Sequence, residues 1–211
     1  MVSLTPEQAH TLLDAARGER LEALYVLAVS TGMRLGEMLA LKWEAVDLDG
    51  AILDVRHTLH HEAAGAWRLT TPKTAKSRRR IDLPSLAVEA LRAHRTRQLE
   101  ERLRAGAAWE EHGFIFTRND GEPLRGTHVL ERHFRPLLSR AGLPAIRIHD
   151  LRHTAATLLL SEGVNIKAVS ETMGHSDIAI TLGIYRHLLP TMQKDVTRAM
   201  ERVLGARQVR A

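Results

Sequence analysis

The run from Leu21 to Gly32 constrains this chain most. Leu21, Leu24, Tyr25, Leu27, Ala28 and Val29 lie on a strongly apolar helix over about 19–31, and Gly32 stops it. Another helix begins near Leu35 and ends around Leu41. Arg34 therefore sits in the joint between two helices, where a turn of the backbone can aim it outward. Upstream, Thr5-Pro6-Glu7-Gln8 has the pattern of a capping box, with Thr at N-cap, Pro at N1 and Gln at N3, opening a helix to about Arg17. Hydrophobic residues make up 44% of the 211, enough for a packed core, but aromatics are only 4%. The core then rests on Leu, Val, Ile and Ala, which favours a mainly helical protein.

Residues 46–83 change character. Asp49-Gly50 is a hairpin-type turn between Val46-Asp47-Leu48 and Ile52-Leu53-Asp54-Val55, and Arg80-Ile81-Asp82-Leu83 alternates as a strand until Pro84. This predicts a small antiparallel sheet with Lys73 near the tip of its last hairpin. From Ala63 to Ile81 there are six Lys or Arg residues and no acid. Helices are expected at about 85–104, 126–141, 149–162, 165–173, 176–188 and 191–204, interrupted by a short strand Phe114-Ile115-Phe116. Gly163 and Gly174 serve as C-terminal stops, Asn165 and Ser176 as N-caps. The fold class is mainly α with a small antiparallel β-sheet (α+β), and no internal repeat or linker divides it.

Lys and Arg total 30 against 25 acidic residues, a net charge of +5 that fits a polyanionic partner. Cysteine is absent, which excludes disulfides, zinc–thiolate sites and thiol catalysis. The N-terminus does not resemble a signal peptide, and no apolar stretch approaches the roughly 20 residues that span a bilayer. The expectation is a soluble, cytoplasmic protein. His57, His60 and His61 resemble a metal cluster, but neither a cysteine nor a partner motif completes one, so no metal site is assigned.

A string of polar residues in chain order suits one chemistry: Arg34, Lys73, His149, Arg152, His175 and Tyr185. Transesterification at a phosphodiester builds negative charge on the non-bridging oxygens of a five-coordinate phosphorus. Guanidinium groups hold such oxygens in a planar fork, so Arg34 and Arg152 form a candidate clamp. Tyrosine, with a reference pKa of about 10, needs help to act as a nucleophile. Clustered positive charge and a neutral His149 provide it. The leaving sugar oxygen needs a proton, for which Lys73 is the candidate acid and Lys76 the runner-up. His175 can donate to a phosphate oxygen. His149 and Arg152, three apart, share a helix face, while His153 is read as a buried structural histidine. Arg78-Arg79-Arg80 reads as a solvated basic strand edge and, with Lys76, as a candidate DNA-binding group.

In order, Thr31-Gly32-Met33-Arg34-Leu35-Gly36-Glu37, the basic-hairpin lysine, His149-Asp150-Leu151-Arg152-His153-Thr154 and Gly174-His175-Ser176-Asp177-Ile178 resemble the signatures of the tyrosine recombinases, or phage integrase family. The resemblance covers essentially the whole chain, from Leu4 to beyond Tyr185. It implies a tyrosine recombinase catalytic domain over 1–190, with Arg34, Lys73, His149, Arg152, His175 and Tyr185 as the catalytic set. Tyr185 would form a 3′-phosphotyrosyl bond and release a 5′-hydroxyl that attacks the partner strand, without ATP, metal or other cofactor. The implied partners are double-stranded DNA and further copies of the chain, a monomer when free and a tetramer on DNA.

The sequence starts directly at what resembles the catalytic domain, without the N-terminal helical domain that family members usually carry. This is expected of either an excised fragment or a naturally short protein. Residues 191–211, with Val196, Met200, Val203 and Leu204 on one face, either dock on a neighbouring protomer or fold back on their own domain. Two other readings stand beside the recombinase. Residues 165–185 resemble a helix-turn-helix, as in a non-catalytic DNA-binding regulator, which leaves Arg34, Lys73 and the His149–Thr154 phrase unexplained. Relaxation without synapsis, as in type IB topoisomerases, would use the same site.

Overall fold

The computed structural model of the chain describes residues 2–62, 66–71, 78–174 and 200–201. Lys73, Lys76, His175 and Tyr185 lie outside the described residues. So do the expected helices over about 176–188 and 191–204, apart from Met200 and Glu201.

Helix α2 (Glu22–Thr31) runs through the core, with every residue from Ala23 to Ala28 buried. Around it pack α1 (Pro6–Ala16), α4 (Ser85–Ala105) and α7 (Asp150–Ser161). Leu24, Tyr25 and Leu27 are fully buried, each stabilising the fold by about 1.5–3 kcal/mol. The Tyr25 ring lies 5.9 Å from that of Phe134. At the start of α1, Thr5 accepts from the Gln8 backbone N–H and Gln8 reaches back to the Thr5 N–H, as its sequence predicts. Just before the cap, buried Leu4 donates its N–H to the Thr154 hydroxyl at 3.0 Å, tying the start of the chain to α7.

A short helix α3 (Leu35–Leu39) follows α2, and two sheets follow it. Strands β1 (Val46–Asp47), β2 (Ile52–Val55) and β5 (Arg79–Asp82) form an antiparallel sheet in the order β1-β2-β5. Its register sets Leu53 against Val46 on one side and against Ile81 on the other. A separate antiparallel pair joins β3 (Thr58–His61) to β4 (Trp67–Thr70) and packs on α3. Sequence alone missed this second pair, because His57, His60 and His61 interrupt the apolar alternation that marks a strand. Among the described residues β4 and β5 belong to different sheets, and the segment between them, with the expected hairpin tip at Lys73, lies outside the described residues.

Two helical segments also differ from expectation. The single helix expected over about 126–141 is α5 (Gly126–His128), a π-helical stretch (Val129–Phe134) and α6 (Arg135–Arg140) in succession. The expected strand Phe114–Phe116 is a buried bend flanked by isolated bridges. Its backbone is satisfied elsewhere: the Phe114 and Ile115 carbonyls accept from Gln98, His94 also bonds the Ile115 carbonyl, and the Ile115 N–H reaches Leu41. Helix α8 (Ile166–Met173), capped by the Asn165 side chain and stopped at Gly174, lies over the C-terminal end of α2. No helix among the described residues is long and apolar enough to cross a membrane.

Candidate active site

Gly32 ends α2 in the left-handed conformation, φ 63°, which a side chain would strain. A Cβ there would also run into the Met173 thioether at the end of α8. The tight turn makes Arg34 the residue before α3, with extended backbone and a side chain 39% exposed. From α7, Arg152 reaches the same turn and donates from Nη1 to the Gly32 carbonyl at 2.7 Å. Arg152 is only 3% exposed. Its buried Nη2 has no hydrogen-bond partner among the described residues. Burial pulls this guanidinium down to about 9; repulsion from Arg34 and Arg79 adds to that, and Glu37 opposes it. It remains a cation at neutral pH, but one whose charge is incompletely solvated, as suits a site that receives an anion.

Glu37 is the anion of the cluster, its side chain 3% exposed. Its carboxylate accepts from the Arg34 backbone N–H at 3.0 Å and from Arg34 Nη1 at 2.9 Å. On the other side it takes 2.9 and 3.3 Å bonds from Arg79. Burial alone would raise its pKa, but hydrogen bonds from Arg79 and attraction to Arg79 and Arg34 outweigh it and hold the carboxyl below its ordinary 4.5. Three guanidinium groups thus act on one another and share one carboxylate, leaving the cluster net positive. Arg34 Nη2 also donates to the Gly174 carbonyl at 3.3 Å.

His149 stands at the start of α7, where Asp150 holds the turn by accepting from the Arg147 backbone at 2.9 Å and from its guanidinium at 2.8 Å. Burial, then repulsion from Arg152, Arg147 and Arg34, lowers the His149 pKa from 6.5, with Asp150 opposing. The ring is therefore neutral at pH 7 and able to accept a proton. It meets His153 edge to face at 5.0 Å. His153 is buried, with Nδ1 unpartnered among the described residues.

Of the residues singled out from sequence, the fold brings Arg34 and Arg152 to the joint after α2, with His149 within reach of the charge of both. Arg78 and Arg80 are exposed, and Arg80 pairs with Asp54 at 3.2 Å. Arg79 departs from the solvated strand edge expected of it: its side chain is 7% exposed and turned inward to Glu37. The physical reason is strand alternation, which puts Arg79 on the face of buried Ile81 and opposite buried Val55. Glu37 is the site residue that sequence reasoning missed, and sequence singles out Arg79 only as part of a DNA-binding strand edge, not as Glu37's partner. The signals were present in the i, i+3 spacing of Arg34 and Glu37 and in the period of β5.

The phage integrase family matches residues 3–192. A tyrosine recombinase XerC-like protein of Caldanaerobacter subterraneus subsp. tengcongensis is 37% identical over 210 residues, covering 94% of this chain and 53% of that protein. An integrase of Streptomyces ambofaciens is 40% identical over 199 residues, covering 90% of this chain and 50% of its own length. The chain thus spans about half the length of these relatives. Among solved structures, the Tn1549 transposon integrase bound to transposon right end DNA superposes with a TM-score of 0.78 at 25% identity, covering 97% of this chain and 66% of that one. XerA recombinase gives a TM-score of 0.69 at 26% identity, covering 100% and 65%.

Proposed function

This chain belongs to the phage integrase family, and we propose that it is the catalytic part of a site-specific recombinase that cleaves and rejoins double-stranded DNA through a tyrosyl phosphate. The observation that carries the proposal is the meeting of Arg34 and Arg152, from distant parts of the chain, around the Gly32 turn. One is partly exposed, the other buried with a guanidinium nitrogen still unpartnered among the described residues. Such a pair grips a phosphate more strongly as charge accumulates on its oxygens, which lowers the barrier and not merely the binding energy.

In the reaction the Tyr185 phenol oxygen bonds to phosphorus and the P–O5′ bond breaks. The phenol proton goes to neutral His149, and the departing 5′-oxygen takes a proton from Lys73. His175 donates to a non-bridging oxygen. The product is a 3′-phosphotyrosyl linkage and a 5′-hydroxyl. Attack by a 5′-hydroxyl of the partner strand runs the same steps backwards and returns Tyr185. Arg78 and Arg80, exposed on β5, and Lys76 are proposed to contact the DNA backbone. Exchange between two duplexes calls for several copies of the chain, and a tetramer on DNA from free monomers is the assembly proposed, in the cytoplasm where DNA is available.

The test is incubation with a nicked suicide substrate in EDTA. A covalent protein–DNA adduct is expected from the wild type and none from Tyr185→Phe. An adduct that survives in Tyr185→Phe moves the nucleophile elsewhere, and DNA binding without any adduct favours a non-catalytic DNA-binding role.

A further inference from the structure

Among the described residues Arg79 touches three segments of the fold at once. Its Nη2 and Nη1 hold Glu37 at 2.9 and 3.3 Å, and its Nε donates to the Thr172 carbonyl at 2.7 Å. Its guanidinium also packs close against Gly174, where a Cβ would come 2.9 Å from Nη1. Thr172 stands in the last turn of α8, whose carbonyls have no partner within the helix and favour a cation. Glu37 is the same carboxylate that accepts from Arg34. One planar group therefore links β5, the start of α3 and the end of α8. Only a guanidinium has the donors in the fork this requires; a lysine brings a single point charge.

Chain order gives the link its meaning. The strand that carries Arg79 follows directly on the basic segment containing Lys73 and Lys76, and Gly174 directly precedes His175. We infer that Arg79 is a positioning residue for the cleavage site: through Glu37 it orients the Arg34 guanidinium, and through the α8 terminus it fixes the point from which the segment with His175 departs. The inference rests on the recombinase reading above. It separates Arg79 from Arg78 and Arg80, its exposed neighbours on the strand.

The experiment measures single-turnover adduct formation at saturating suicide DNA, DNA affinity across a salt series, and thermal unfolding. It compares the wild-type chain, Arg79→Lys, Glu37→Gln and the double variant. Arg79→Lys is expected to fold, to bind DNA with wild-type affinity and salt dependence, and to form adduct about 10²-fold more slowly, the effect of a misplaced catalytic group. The double variant is expected to be no slower than the slower single variant, because both act through one network. Two results would overturn the inference while leaving the recombinase reading intact. The first is weaker DNA binding with a salt slope reduced by about 1 and an unchanged rate, which makes Arg79 a phosphate contact. The second is a lowered melting temperature with a wild-type rate, which makes it structural only. Absence of adduct from the wild type overturns both, and is distinguishable because every arm then fails alike.

Discussion

Arg152 donates from Nη1 to the carbonyl of Gly32 at 2.7 Å, so a side chain of α7 holds the backbone two residues before Arg34. The two arginines are thereby placed by one hydrogen bond and one left-handed turn. The turn is legible in the sequence and the hydrogen bond is not, and together they decide whether the pair can share a phosphate.

In the proposed reaction that bond serves catalysis more than stability. Arg152 is held as a cation against burial that lowers its pKa to about 9, so the folded state bears an unfavourable charge. Arg152→Met removes the charge and keeps the bulk, at the loss of one bond to the Gly32 carbonyl. Unfolding free energy is expected to change by no more than about 2 kcal/mol. Adduct formation should fall by roughly 10²–10³-fold or more. Denaturant titration alongside single-turnover cleavage checks both; a variant that unfolds outright but cleaves normally while folded would reverse the assignment.

The turn itself is the next target. Gly32→Ala places a side chain at φ 63° and against Met173. A loss of about 1–2 kcal/mol is expected from the backbone alone, with a further loss from the Met173 contact. The double variant Gly32→Ala/Met173→Ala should not recover the wild-type cleavage rate, because the backbone strain remains at the carbonyl that Arg152 grips. Full recovery would show that only side-chain crowding matters at this turn.

In the proposed reaction, protonation of His149 sets the acid limit of activity. Its pKa lies below 6.5 in the fold, through burial first and then Arg152 and Arg147. Above 6.5 the ring is neutral folded or unfolded. As pH falls from there through the lower folded value, the unfolded chain binds the proton more readily and stability is lost. His153 shifts the same way and adds to that loss. Cleavage should accordingly change little with pH around 7, where the ring is already neutral, and decline on an acid limb below 6.5 as the proton acceptor fills. A pH–rate profile tests this: the limb should vanish in His149→Gln, whose residual rate is low and flat. A limb centred above 6.5, or one that persists in the variant, belongs to another group.

How much of this was legible in the sequence varies with how local the cause is. The Thr5–Gln8 cap, the stop at Gly32 and the placing of Arg34 between helices depend on neighbours within a few residues, and sequence reasoning reached all three. The Asp49-Gly50 turn and the pairing of β1 with β2 were legible for the same reason. Phe114–Phe116 misled because an apolar run looks like a buried strand, whereas here His94 and Gln98 of α4 satisfy its carbonyls from far along the chain. Arg79 misled differently. Three consecutive arginines look like a charged edge, and the partner that draws the middle one inward, Glu37, sits on another element.

The central claim is that Arg34 and Arg152 act on the negative charge of the scissile phosphate. Its most direct test is cleavage of a suicide substrate whose scissile linkage is a neutral methylphosphonate, compared with the ordinary phosphodiester, by the wild type, Arg34→Ala and Arg152→Ala. On the phosphodiester each variant should be slower by roughly 10²–10³-fold or more. On the methylphosphonate, which lacks the charge to be neutralised, the defects should shrink to a small fraction of that. Defects of equal size on both substrates would contradict the account.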